Sequence, residues 1–466
     1  AKRYRSWSCH TAIKLLGAFV GRKTDGEKEA LTTKLRGKHA TFFRRLGKLR
    51  GSAFTALLSS CTVPKMTHVI RTHEPAVSSP SAEAFDAQVE SVWADFAHVV
   101  PTETSRLLAH LPVASGGLGW TRQAWVAEHA YAASLSATLH TRDGPTKQRT
   151  LTTAHFADVR ERLANESDDL ARHLEQCALK GTAAFLRNAT TCLTHPQASA
   201  ATRLRLHTAS RDCTVSILAC PGCERTFAPA PWMEHVTCCA RLHGCNASTR
   251  HAAVKCALIQ ACHDAAVPVD SHEPREYAST TCPACGTEVT DALWRSHTES
   301  CAAFRASPEG HRHRSGPDVR LYIQQRAVNV DVTVIGLGCP SHIARSVDAL
   351  RADVVRGKVE KYRAMCAARD EDFCVFAASS HGHLFSETAR QVRRITGHAG
   401  ASTADALSRL SVAVLAGSAA ALVNAERRVG IAPPSPEENA AREARLLLLR
   451  SAPAARMLAQ AAVEVF

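Results

Sequence analysis

Two segments of this chain repeat one spacing of soft metal ligands residue for residue. Cys220-x2-Cys223-x11-His235-x3-Cys239 is matched by Cys282-x2-Cys285-x11-His297-x3-Cys301. Each set offers three thiolates and one imidazole, the donor set of a closed tetrahedral zinc site. Both open Cys-Pro-x-Cys, a tight turn that aims two sulfurs at one point, and both carry a tryptophan shortly before the histidine, Trp232 and Trp294. An aromatic there supplies a small core for a unit too short to fold without metal. The alternative is scattered buried cysteine, since the chain has 18; a spacing repeated this closely favours two structural Zn2+ ions. Cys238, beside Cys239, leaves the fourth ligand of the first set open between the two.

A second group of residues points to hard-cation chemistry. Asp331 interrupts a run of β-branched residues, where an unpaired carboxylate is costly to bury. Asp318 follows Pro317 and opens the preceding strand candidate, 13 positions earlier. If the two strands are neighbours, the carboxylates converge near one end of a sheet. Mg2+ is commonly held by one or two carboxylates together with substrate phosphates, and it activates water for attack on phosphorus. Glu273 is a candidate third acid. On the helix beyond, Val347, Val354 and Lys361 are spaced by seven and share one stripe. Lys361 is thereby expected to face the sheet, with Lys358 one turn earlier, and either amine could steady a phosphate or orient water. Taken singly, Asp318 reads as a turn residue and the lysines as solvated surface; their order across one α/β unit favours a site.

The elements that must position these groups follow from periodicity. Ile13 to Gly21 reads as a strand-like run, and helix with basic faces is expected from about Glu27 to Ser60. A Pro/Ser-rich loop is expected over Glu74 to Ser81, then helix carrying Phe85, Val89, Val92 and Phe96. Leu111 to Trp120 is a glycine-rich turn lacking the Gly-Lys-Ser/Thr ending of a phosphate loop. Residues 121–212 read as mostly helical, with turns near Asp143–Pro145 and Pro196. Thr249 is expected to cap a helix bearing Val254, Leu258 and Ala261, with Val267-Pro268-Val269 as a short strand after it. Strands are expected over Val319–Ile323 and Val328–Ile335, helix over Ala344–Ala368, strand over Phe373–Ala378 and helix over Ser386–Ile395. That alternation predicts a small α/β sandwich. Residues 401–466 are alanine-rich and helical, broken at Pro433-Pro434-Ser435-Pro436, with no assignable chemistry.

The bulk numbers set the partners. The chain has 466 residues, room for about three domains. Net charge is +14, and residues 1–50 hold 14 Lys/Arg against 3 Asp/Glu. Such a segment suits a phosphate backbone, the plain alternative being a solvated surface. No apolar run reaches the ~18 residues of a membrane span, so no membrane partner is expected. Cysteines in zinc spacing suit an intracellular, reducing compartment. The chain opens on Ala1, which suggests a fragment of a longer reading frame.

These residues, taken in order, resemble the restriction-like endonuclease of site-specific non-LTR retrotransposons, a PD-(D/E)xK nuclease. The resemblance rests on Arg250-His251, Glu273-Pro274, Pro317-Asp318, Asp331-Val332-Thr333-Val334 and Lys358-x-x-Lys361-Tyr362. Upstream, Lys14 to Gly21 is similar to the segment between palm and thumb of the reverse transcriptases of these elements. Leu111-Pro112 to Gly119 is similar to a Leu-Pro-x-x-x-Gly-Gly-Leu-Gly motif beyond the thumb. A Cys-Cys-His-Cys zinc unit before the nuclease also belongs to this family. The resemblance covers about residues 10–400. It implies a multidomain chain, mostly α in its N-terminal half. Residues 1–110 would be palm end and thumb, 111–212 a helical linker and 213–245 the first zinc unit. Residues 246–400 would be an α/β PD-(D/E)xK nuclease with the second zinc unit inserted at 280–303, and 401–466 a helical tail.

The resemblance further implies Mg2+-dependent nicking of target DNA, leaving a 3′ hydroxyl that primes reverse transcription of element RNA. Asp318 and Asp331 would hold the metal, Lys361 or Lys358 would assist the phosphate, Glu273 would complete the site, and Arg250 and His251 would touch DNA. Three departures stand out. Thr333 occupies the place where the superfamily pattern puts lysine, the second zinc unit interrupts the nuclease, and no Tyr/Phe-x-Asp-Asp polymerase motif occurs. Polymerase carboxylates would have to lie upstream of Ala1, in a polymerase domain of the same reading frame. The competing expectation is a decayed or repurposed copy that binds DNA or RNA through zinc and basic patches without cutting. A zinc-stabilised scaffold without nucleic acid is a third.

Overall fold

The computed structural model describes residues 12–15, 18–21, 25–139, 148–187, 193–239, 241–242, 247–270, 282, 284–287, 297, 300–306, 317–339, 342–397 and 402–431. The chain is mostly helical with a small mixed sheet, and it divides into two compact units. One comprises residues 1–179, 183–233 and 422–466, and the other residues 180–182 and 234–421.

In the first unit, β1 (Ala12–Leu15) and β2 (Ala18–Gly21) pair antiparallel. The run expected as one strand is thus two. Helices α1 (Asp25–Leu46), α2 (Gly51–Thr72) and α3 (Pro75–Ala97) follow. The expected Pro/Ser loop over Glu74–Ser81 is instead the start of α3. Pro75 stands in its first turn, where a missing N–H costs nothing and φ is already helical. Phe85, Val89, Trp93 and Phe96 form its buried face. Next come α4 (Glu103–His110), α5 (Gln123–Leu139), α6 (Gln148–Ala164), α7 (Asp168–Ala178) and α8 (His195–Arg205). Pro196, expected in a turn, starts α8 for the same reason as Pro75, while Asp143–Pro145 lies outside the described residues.

The glycine motif closes tightly on α4. Leu118 N donates to Leu108 O and Trp120 N to Ala109 O, while Leu111, Leu118 and Trp120 are buried. A Cβ on Gly117 would stand 2.1 Å from Leu111 O, so only glycine fits. Buried Arg205 donates to Gly117 O (2.8 Å), Val113 O (3.2 Å) and Cys177 O (2.9 Å), pinning the turn from α8. The motif is therefore a structural corner.

The second unit is built on four strands in the order β5 (Val269–Asp270), β6 (Val319–Ile323), β7 (Arg326–Ile335), β8 (Asp372–Ser379). Pairing is antiparallel except β7 with β8, which is parallel. Around the sheet lie α10 (Ala247–Asp264), α12 (Val347–Ala367), α13 (Ser386–Thr396) and α14 (Thr403–Arg428), and two shorter helices are α9 (Pro229–Cys238) and α11 (Ala302–Ala306). Val319, Leu321, Ile323, Val328, Val330 and Val332 turn one sheet face toward Val254, Leu258 and Ala261 of α10. Alternation sends Arg320, Asn329 and Asp331 to the other face. Thr249 lies inside the first turn of α10 rather than capping it.

Helix α14 corrects one expectation: by length and composition it is apolar enough to cross a membrane. Two-thirds of its most apolar window is buried, and Ala406, Leu410 and Val414 belong to the sheet core, which is the behaviour of a core helix. Residues 432–466 of the expected tail lie outside the described residues.

Candidate metal and phosphate-chemistry sites

Each cysteine pair sits on the same local scaffold. Cys220 N donates to Arg225 O and Glu224 N to Cys220 O, both at 2.8 Å. At the second site Cys282 N donates to Thr287 O and Gly286 N to Cys282 O, again at 2.8 Å. The fourth residue after the first cysteine is left-handed in both, Glu224 at φ 63° and Gly286 at φ 71°. One turn thus presents two sulfurs in each case. Helix α9, which follows the β3 (Leu218–Ala219) and β4 (Thr226–Phe227) hairpin, brings His235 to the first pair.

The four ligand atoms of each set lie within 4.8 Å of one another, so both groups can hold zinc. Cys239, not Cys238, completes the first set. Trp232 is buried and donates from Nε1 to Ala219 O at 3.1 Å, forming the expected small core; Trp294 lies outside the described residues. The Cys285 thiol is pulled down to about 6, first by the Thr287 hydroxyl 3.1 Å from its sulfur, and so is readily deprotonated for a metal.

The acidic pair meets through strand pairing. Val319 is opposite Val330, and Asp318 N donates to Val330 O at 2.8 Å, which sets Asp318 beside Asp331 at the end of the β6–β7 ladder. Asp318 Oδ2 accepts from Val332 N (2.6 Å) and stands 2.8 Å from His251 Nε2. That hydrogen bond raises the His251 pKa against the opposing effect of burial, with further help from the charges of Asp318 and Asp331. Asp331 is buried, its Oδ2 2.9 Å from Lys358 Nζ. The ion pair at Oδ2 is not a well-angled hydrogen bond: Lys358 donates instead to Oδ1 at 3.2 Å, leaving Oδ2 without a donor among the described residues.

Lys361 is placed differently from the expectation. Val347, Leu350, Tyr362 and Cys366 are the buried positions among the described side chains of α12; from Leu350 onward steps of four rather than seven mark its inward stripe, and Lys358 lies on it. Lys361 is exposed, with its ammonium 4.8 Å from the Tyr362 ring centre. Partial burial, then the charge of Lys358, depress its pKa, while Asp331 and Asp318 oppose them.

Arg250 is not a surface contact. It is buried, donates to Thr237 O at 2.6 Å and Ser418 Oγ at 3.3 Å, and Gly417 has no room for a Cβ against it. Glu273 lies outside the described residues. Sequence reasoning missed a buried network below the pair. Asn329 Nδ2 donates to Glu371 Oε2 at 2.6 Å, and Arg320 lies 3.1 Å from Glu371 Oε1. The one available signal was Asn329 two residues before Asp331, on the same strand face.

No protein-family model matches this chain, and no curated protein matches it.

Proposed function

We propose that this chain is the nuclease-bearing part of a site-specific non-LTR retrotransposon polyprotein, a multidomain protein whose α/β unit is a PD-(D/E)xK nuclease that nicks target DNA with Mg2+. The observation that carries the reading is the meeting of Asp318 and Asp331, 13 positions apart, at one ladder end with Lys358 Nζ 2.9 Å from Asp331. The donor chemistry fits a hard cation: two carboxylates, one with a buried oxygen that receives no hydrogen bond from the described residues. Asp318, Asp331 and His251 are not as closely gathered as the zinc ligands, so the carboxylates would draw together around an ion and substrate phosphate.

Asp318 and Asp331 would hold Mg2+, which when bound polarises the scissile phosphate and acidifies a water. Lys358, held by Asp331, presents an ammonium to the developing negative charge on phosphorus. His251 orients Asp318 through Nε2. Lys361, the more exposed amine, suits a flanking phosphate. Water attacks phosphorus and the bond to the 3′ oxygen breaks, leaving the 3′ hydroxyl that would prime synthesis on element RNA. The basic residues of α1 and of the turn after it support a polyanionic partner. Lys34, Arg36, Lys38, Arg44, Arg45 and Lys48 are exposed, and residues 30–73 contain nine Lys/Arg and no Asp/Glu. Nuclear residence follows from that role.

The test is nicking of supercoiled DNA with Mg2+ by this chain and by Asp331→Ala. Nicking by the first alone supports the proposal. Salt-sensitive DNA binding with no nicking by either identifies a zinc-dependent binder without catalysis.

A further inference from the structure

Helix α9 has two working faces. His235 and Cys239 point to the first zinc set, whereas Glu234 and Cys238, one residue earlier in each case, serve the sheet side. Glu234 Oε1 is 3.1 Å from His381 Nε2, both side chains being buried. Cys238 does not join the metal set. Its sulfur stands 3.3 Å from Thr237 Oγ1 and gathers over Gly336 with that of Cys339, which lies in the turn just after β7. Gly336 marks how closely the sulfurs gather: a Cβ there would be 2.3 Å from Cys238 Sγ and 2.9 Å from Cys339 Sγ. Both thiols therefore fill the space above one glycine, and both residues are partly exposed.

We propose that Cys238 and Cys339 are a thiol pair that a small disulfide oxidant, such as oxidised glutathione, converts to a disulfide while the neighbouring zinc set stays intact. One thiolate attacks the oxidant's disulfide and expels one glutathione thiolate, forming a mixed disulfide. The second cysteine thiolate attacks that cysteine's sulfur and expels the other. Two thiols have then lost two electrons and two protons, and one oxidised glutathione has become two glutathione thiols. The pair can react with each other because both sulfurs already crowd the same glycine. Cys239 is withheld from the exchange because its sulfur faces Cys220, Cys223 and His235. The product would tie the last turn of α9 to the loop leaving β7, the strand that carries Asp331, and reduction would release it.

The experiment oxidises the full zinc-loaded chain with oxidised glutathione, alkylates free thiols, and maps cross-linked peptides by fragmentation that separates Cys238 from Cys239. Zinc content is measured on the same samples. The expected result is a Cys238–Cys339 cross-link formed with the metal retained, reversed by dithiothreitol and absent in Cys339→Ser, whose zinc content is unchanged. A cross-link through Cys239, release of zinc in step with oxidation, or oxidation of other cysteines while Cys238 and Cys339 stay alkylatable would overturn the proposal. None of these readouts depends on nuclease activity.

Discussion

Replacing Lys358 with methionine should expose how Asp331 is tolerated inside the sheet unit. Methionine keeps most of the side-chain volume and removes the charge. At 2.9 Å and an effective dielectric of about 20, the pair's gross attraction is about 6 kcal/mol. Most of this does not appear as stability. Lys358 is one-third exposed, so part of its attraction is screened and part is offset by ordering a long side chain. Asp331 is 4% exposed, however, and without the amine its carboxylate is a buried charge lacking a cation. The net loss expected is about 1–3 kcal/mol, between the surface and fully buried limits.

Urea unfolding followed by a probe in the sheet unit would measure that loss, and a double-mutant cycle with Asp331→Asn would isolate the pair. Asp331→Asn alone should cost little, because it removes the buried charge together with its need for a partner. Lys361→Met, at the exposed position, should change stability by less than about 0.5 kcal/mol. Equal effects of the two lysine substitutions, or a coupling near zero, would show that Lys358 does not hold Asp331 and would remove the amine from the proposed site.

Three further outcomes are expected. The β6–β7 turn places Gln324 and Gln325 at φ 53° and 64°, where side chains are strained; Gln324→Asn with Gln325→Gly should raise stability by about 1–2 kcal/mol in the same unfolding assay, at the end of the ladder away from Asp318. His110 is held down to about 4, chiefly by burial, so between that value and 6.5 the unfolded chain binds the extra proton. Its contribution, up to about 3 kcal/mol, is present above pH 6.5 and lost as pH falls toward 4, and His110→Gln should flatten the decline in urea midpoint over that range. Elemental analysis should find two zinc ions per chain, and Cys220→Ser and Cys285→Ser should each lose one independently.

What was legible in the sequence was whatever a period or a spacing could encode. The zinc sets were readable because ligand chemistry fixes residue types and offsets. β6 was readable to the residue, Val319–Ile323, because its valine, leucine and isoleucine alternate with side chains of the opposite face. The inward face of α12 was misread by about one residue because Val347, Val354 and Lys361 look like a stripe at a spacing of seven. Over four turns that spacing drifts, and Leu350, Tyr362 and Cys366 settle which side meets the sheet. The Cys238–Cys339 contact could not be read at all, since it joins residues 101 positions apart with no motif between them. Gln324-Gln325 likewise carries no turn signal; the hairpin is imposed by the pairing of the strands it connects.

The polar face of β7 is where the case for chemistry and the case for mere folding part company. A strand buried on both faces is most stable when both are apolar, yet Asn329 and Asp331 stand side by side on the inner face under α12. Asn329 is accounted for structurally, because its Nδ2 donates to Glu371 and Arg320 pairs with the same carboxylate. Asp331 is not, because among the described residues one of its oxygens receives no hydrogen bond and its ion pair is with the partly exposed Lys358. Had the position served only to fill the sheet, a second network like the one at Asn329, or a valine, would do so at lower cost. A carboxylate left one ligand short, beside a second carboxylate and opposite an amine, is a cost that binding a cation and a phosphate would offset.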